Sequence, residues 1–389
     1  MKLKEVVRNS FLIPIQIFIF EVFSFIFSFK KMDKKIGTVV GVEEIASILH
    51  YMGESVDESV TVNFTDNKYY SFNYDYDISN LKPLIKIIYQ PYLLAYLSSK
   101  YKNFIYISGS GFLMNSTDGR DYEFKALKKR NCNIICFFTG SDIRSHRLMY
   151  EYSKNHNLDV ITTYQSISQI GIDSLENEEL RKKLALSADR YADIIFNPNV
   201  DQMSYIKKIT KPFLYFADES KILKNTDKYC ENNKLIVVHA PSSPLIKGTP
   251  LVRAAVKKLK EEGYEFTYTE LIGVPNSEVL EALRNAHIVL NEFYAFVPGI
   301  FGVEAMMNNT VLLTSADKNI EPTLFGDANK AWVVTPYWLI YDKLRIQLDK
   351  PMVDLKKQAD KGTEWVEKYC TQSFSSKYIN DAIRSLDND

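Results

Sequence analysis

An alternation of short apolar runs with longer amphipathic ones, carried along the chain twice, is what most narrows the folds open to this sequence. In the second pass, "KLIVVHA", "YEFTYTEL", "HIVLNEF" and "TVLLTSA" are separated by "TPLVRAAVKKLKEEG", "NSEVLEALRNA" and "GIFGVEAMMNN", whose apolar residues recur at helical spacing. The first pass opens with "KIGTVVGVEEIASILHYMGESV" as strand, turn and helix, and continues through the strands "SVTVNF", "NFIYIS", "CNIICFF" and "ADIIFN". Strands that are apolar on both faces must be covered on both, which predicts parallel sheets layered between helices. Near "ITKPFLYFADESK" the pattern pauses before it restarts. At 389 residues the chain exceeds one ordinary core. The expected fold is α/β: two doubly wound Rossmann-like domains facing across a cleft, residues 36–212 completed by C-terminal helices 350–389, and residues 213–349. Ligands of such sheets bind beyond the carboxyl ends of the strands, so chemistry is sought in the strand-to-helix turns.

Residues 1–35 depart from this alternation. "FLIPIQIFIFEVFSFIFSF", residues 11–29, holds fourteen apolar side chains besides Pro14, with Lys2, Lys4 and Arg8 before it and Lys30, Lys31, Lys34 and Lys35 after. As a helix it reaches ~28 Å, barely a hydrocarbon core, and Glu21, Gln16 and the serines weigh against crossing one. Gln16, Glu21, Ser24 and Ser28 fall in one helical stripe, so we expect an amphipathic helix lying on the inner face of a membrane, with lysines toward anionic headgroups. A helix packed on its own protein or on a second copy is the competing expectation. No small-residue cleavage site follows, so a removed signal peptide is not expected.

Elsewhere composition excludes more than it proposes. Lys+Arg and Asp+Glu both number 48, and a chain of zero formal charge lacks the positive field that nucleic-acid binding requires. Cys132, Cys136, Cys230 and Cys370 have neither CxxC spacing nor partner histidines, and read as free thiols. Asp75 and Asp77 form a D-x-D that could hold a divalent metal, or simply two carboxylates on an exposed strand; the metal-free reading is preferred. Lys125, Lys128, Lys129 and Arg130 read as a solvated helix face.

The densest chemistry lies in "HAPSSPLIKGTPL", residues 239–251. A strand ends, Ser242 and Ser243 supply hydroxyls, and Lys247 and Gly248 precede a helix expected to start with Thr249 as N-cap and Pro250 at its first position. Unpaired N–H groups and the helix dipole favour an anion there, and the ammonium adds a full charge. Two turns later "PGIFGVEAM" places Gly299, Ile300, Phe301 and Gly302 at another helix start and Glu304 within its first turns, where a carboxylate can accept two ribose hydroxyls. His239 could approach a substrate or be a satisfied core histidine.

Together, residues 234–316 resemble the C-terminal half of retaining glycosyltransferases of the GT-B fold, family 4 type. The resemblance implies that Lys247 grips the diphosphate of a nucleotide-sugar, that Glu304 holds its ribose, and that Ile272 and Val274 of "IGVPNS" surround the base. Two departures stand out. Many relatives carry a glutamate eight residues before the ribose glutamate, where this chain has Phe296; Glu292 is the nearest carboxylate. An arginine often stands five residues before the lysine, where this chain has Ser242.

In the first half, "ISGSGFLMN" sets Gly109, Ser110 and Gly111 after a strand, and Met114 replaces the third glycine of a dinucleotide fingerprint. "FFTGSDIRSH" sets Asp142 and Arg144 after the next strand. In such relatives these loops face sugar and acceptor, although Asp142 or Ser141 could equally be a helix cap. Lys247, Asp142 and Glu292 are the catalytic candidates. The expected function is metal-independent transfer of a sugar from a nucleotide-sugar to a glycan or lipid-linked acceptor, in bacterial surface polysaccharide or glycolipid synthesis, by a cytoplasmic enzyme peripheral to the membrane. The alternative is a GT-B-like assembly protein that has lost turnover.

Overall fold

The computed structural model describes residues 3–29, 35–66, 72–113, 118–224, 227–231 and 233–386. Lys2, Lys30, Lys31, Lys34 and Met114, named above, lie outside them. The described chain divides into two compact units, residues 1–148, 173–214 and 375–389, and residues 149–172 and 215–374.

The first unit is built on six parallel strands, β1 (Thr38–Val42), β2 (Ser59–Asn63), β3 (Tyr76–Asp77), β4 (Asn103–Ile107), β5 (Asn133–Phe137) and β6 (Ile194–Phe196). Their order is β3-β2-β1-β4-β5-β6. β1 and β4 are buried along their whole length, as expected of strands covered on both faces. Phe104, Tyr106, Phe124, Ile134 and Leu97 occupy the core between sheet and helices.

The second unit has five parallel strands, β7 (Ile236–His239), β8 (Thr267–Glu270), β9 (Ile288–Leu290), β10 (Val311–Thr314) and β11 (Val333–Val334), in the order β11-β10-β9-β7-β8. Its core joins Val237, Ile288, Leu290 and Leu313 to Val252, Val256 and Leu259 of the helix Thr249–Glu261 and to Leu355 of the helix Met352–Tyr369. Both sheets are doubly wound, as the apolar runs predict.

The boundaries differ from expectation in two places. The helix Met352–Tyr369 packs in the second unit, so the return to the first unit comes at residue 375 rather than 350. Residues 149–172 also cluster with the second unit, where the helix Ile161–Ser168 packs against residues 244–247.

The N-terminal segment forms the helix Leu3–Ser28, running along the helix Pro83–Lys100. Half of its polar stripe turns to the protein: Gln16 and Ser24 are buried, Gln16 donating to the Ile87 carbonyl and to Gln90, whereas Ser28 is exposed and Glu21, also exposed, accepts the Tyr122 hydroxyl at the rim. Lys35, expected among the headgroup lysines, donates instead to the Arg130 carbonyl at 2.7 Å.

Candidate functional site

Sheet order points to a candidate site in the second unit before any side chain is considered. The chain runs from β7 to β8 on one side and returns to β9 on the other, so the order reverses between β7 and β9. At such a switch point the loops leaving two adjacent parallel strands diverge and leave a crevice. Val237 pairs with Ile288 and Val238 with Val289, so residues 240–248 and 291–299 leave the sheet side by side.

Residues 240–248 are not a simple loop. Pro244–Lys247 form a single helical turn that Gly248, at φ +80°, ends in the left-handed region. A Cβ on Gly248 would sit 3.4 Å from Phe293 and Tyr294, so glycine satisfies both the backbone angle and the close approach. The helix Thr249–Glu261 starts at once, with Gly248 rather than Thr249 as N-cap. The expected hydroxyl cap fails because the Thr249 side chain is buried and has another partner, His239 Nε2, at 2.8 Å. His239 Nδ1 lies 2.7 Å from the Leu290 carbonyl. That carbonyl can only accept, so Nδ1 carries the proton and Nε2 accepts the Thr249 hydroxyl. Burial holds this imidazole's pKa below the ordinary histidine value. His239 is thus the core histidine of the two readings: it ties β7, β9 and the helix Thr249–Glu261 together.

Lys247 is partly exposed, and its ammonium pairs with Glu292, whose side chain is 5% exposed. The Glu292 main chain is fixed by β10: its carbonyl accepts from the Ser315 N–H at 3.0 Å and the Thr314 hydroxyl at 3.1 Å. Asn291 donates to the Pro298 carbonyl at 2.8 Å, folding residues 291–298 into a tight corner. At its end Gly299 has φ +64°, and a Cβ there would come 2.9 Å from Glu292 Oε1. Gly302 passes Asn291 as closely. The glycines of "PGIFGVEAM" therefore make room for Glu292 and Asn291.

Glu304 sits half-buried on the helix Gly299–Met307, with Asn276 Nδ2 3.4 Å away. Burial raises its carboxyl above the usual range, partly opposed by Asn276 and Lys221. Ser242, Ile272 and Ile300 are exposed, while Ser243, Val274 and Phe301 are half-buried. Phe296 is buried, its ring edge-on to Tyr152 at 5.9 Å. Tyr294, two residues earlier, is also buried and meets Tyr164 at 4.2 Å, so position 296, where the resemblance implies a glutamate, holds a buried ring here.

In the first unit the order reverses between β1 and β4. There Ser110 of the Gly109–Gly111 turn donates to Glu43 at 2.8 Å, and Gly109 lies against Asp142 across the β4–β5 edge. Sequence reasoning missed Glu43; its signal was the place of "GVEE" directly after a strand. The Asp142 carboxylate accepts the N–H groups of Thr139 and Gly140, so it closes the turn before it rather than capping the helix that starts at His146, and burial raises its pKa. Arg144 is 5% exposed and gives Nη2 to Asp201 at 2.8 Å. Asp142 holds its own loop, and Arg144 ties that loop to residue 201. Asp75 accepts from Thr61 and Asp77 from Ser79, so the D-x-D carboxylates hold the sheet edge.

No protein-family model matches the sequence, and no curated protein matches it. Among solved structures, the chain is similar to a sucrose-phosphate synthase from Thermosynechococcus elongatus, with 12% identity, 91% of this chain and 99% of that chain covered, and a TM-score of 0.56. It is also similar to an alpha-glucosyltransferase in complex with UDP-glucose and DNA containing an abasic site, with 14% identity, 90% and 98% covered, and a TM-score of 0.51.

Proposed function

We propose that this chain of GT-B fold transfers a sugar from a nucleotide-sugar to an acceptor hydroxyl, with retention of anomeric configuration. The observation that carries the reading is that, at the switch point of the second sheet, Lys247 at the amino end of the helix Thr249–Glu261 pairs with Glu292, against which Gly299 starts the helix that bears the half-buried Glu304. A diphosphate would lie against the Lys247 ammonium and the helix-start N–H groups, which attract an anion together. Ribose hydroxyls would donate to Glu304, and Ile272 and Val274 would flank the base. As the glycosidic bond breaks, charge grows on the departing phosphate oxygens, and preorganised cations and amides stabilise that change without a metal.

Glu292 has a part in this cycle. It pairs with Lys247; when a diphosphate takes the ammonium, its carboxylate would be left beside the sugar, in the part for which the resemblance implies a glutamate where this chain has Phe296. The acceptor is a glycan or lipid-linked hydroxyl, handled by a peripheral protein at the inner face of a membrane during bacterial surface polysaccharide or glycolipid synthesis. Nucleic acid is not part of the reading. Release of nucleotide from a panel of UDP-, GDP- and CMP-sugars, with and without EDTA, tests it: turnover that survives EDTA is expected, and turnover abolished by EDTA would overturn the metal-free mechanism. Burial of Phe296 among aromatic rings favours one alternative, an assembly protein that binds donor without turnover; donor binding with no nucleotide release from any sugar would select it.

A further inference from the structure

The helix Leu3–Ser28 is packed the wrong way round for water. Gln16 and Ser24 are 0% and 7% exposed, turned inward with Phe20, while Phe18, Phe25 and Phe29 are 70%, 64% and 72% exposed. Ile15, Val22 and Ile26 continue the outer stripe. A second helix extends it: Leu84, Ile85 and Ile88 of Pro83–Lys100 are also exposed, and Gln16 on Ile87 and Gln90 sets them beside the first turns of that stripe. Phe23 against Tyr92 and Phe27 against Tyr96 lock the two helices together. An apolar face of this extent on a folded surface marks an interaction site.

We infer that this two-helix face docks flat on an anionic lipid surface and enters one leaflet. The inner side of the helix is committed to the protein through Phe20, which Arg130 covers at 4.7 Å, so the helix cannot be surrounded by lipid. Among the described residues no helix is long and apolar enough to cross a membrane. Charge selects the occupant: the sequence sets Lys2, Lys4 and Arg8 before the stripe and Lys30, Lys31 and Lys34 after it, and Lys82 is exposed beside Leu84. Phosphate headgroups complement this excess of cations in the flanking sequence, whereas a second copy would bring like charges together. The inference rests on the membrane location proposed above but not on the sugar chemistry, and it adds to the N-terminal segment a helix far from it in sequence.

The test is flotation of the full chain with vesicles of equal parts phosphatidylcholine and phosphatidylglycerol, or of phosphatidylcholine alone. Binding to the anionic vesicles, weakened by salt, is expected. Phe18→Asp with Phe25→Asp, and separately Leu84→Asp with Ile88→Asp, should each lower it by about tenfold or more. UDP binding and the melting profile of both variants, measured without vesicles, should stay as in the parent. Full flotation of the Leu84 and Ile88 variant, equal flotation on the neutral vesicles, or a lipid-free dimer that either variant dissociates would overturn the inference. Flotation as expected from a chain that binds neither UDP nor GDP would support the face and count against the donor reading alone.

Discussion

Gly299 shows how closely the candidate site is fitted at the scale of single atoms. Its positive φ and the 2.9 Å approach of Glu292 Oε1 leave no place for a methyl group. Gly299→Ala should cost about 1 to 2 kcal/mol of stability and push Glu292 away from Lys247, which a denaturant midpoint and a chemical shift of the Lys247 ammonium would both register. Glu304 offers a second test at this scale. Glu304→Ala should weaken UDP by about tenfold, one charged hydrogen bond's worth, and leave a 2′,3′-dideoxy analogue unaffected. Equal losses for both nucleotides would remove the ribose role.

The pH response belongs to the elements that hold the loops. His146 opens the helix His146–His156, where burial first, then Arg181 and Arg144, lower its pKa to about 4. The unfolded chain titrates near 6.5, so between about pH 6.5 and 4 it binds more protons than the folded chain and stability falls as pH falls. His146→Gln should flatten the melting temperature across that window; an unchanged slope would assign the loss to other groups. Elements also show what the sequence could and could not reveal. Strands such as Asn103–Ile107 were legible because full burial makes every residue apolar. The two-residue strands Tyr76–Asp77 and Val333–Val334 carry no period to read. The turn Pro244–Lys247 was invisible because four residues cannot show helical spacing. Thr249 reads as a cap until its distant partner His239 is known. Lys247, Gly248, Gly299 and Glu304 could be placed from local motif alone, whereas the pairing of Lys247 with Glu292 depends on which strands are neighbours.

At the scale of the whole molecule the amphipathic helices of the C-terminus gave no sign of which sheet they cover, because a helix face specifies apolar cover and not its owner. Met352–Tyr369 joins the second core, and the last helix, Gln372–Ser385, supplies Asn380, which donates to the Ser55 carbonyl at 2.9 Å and accepts from the Asp57 N–H at 3.0 Å. Removal of residues 375–389 should therefore lower amide exchange protection in β1 and β2 and leave β7 and β9 protected; uniform loss would contradict the division into units. The central claim is that Lys247 and the helix behind it form a diphosphate site, and calorimetric titration of UDP and GDP into the parent chain, Lys247→Ala and the exposed control Lys257→Ala tests it most directly. The account predicts that at least one nucleotide binds the parent and the control alike and binds Lys247→Ala about tenfold to a hundredfold more weakly; equal affinity of all three chains for that nucleotide would contradict it.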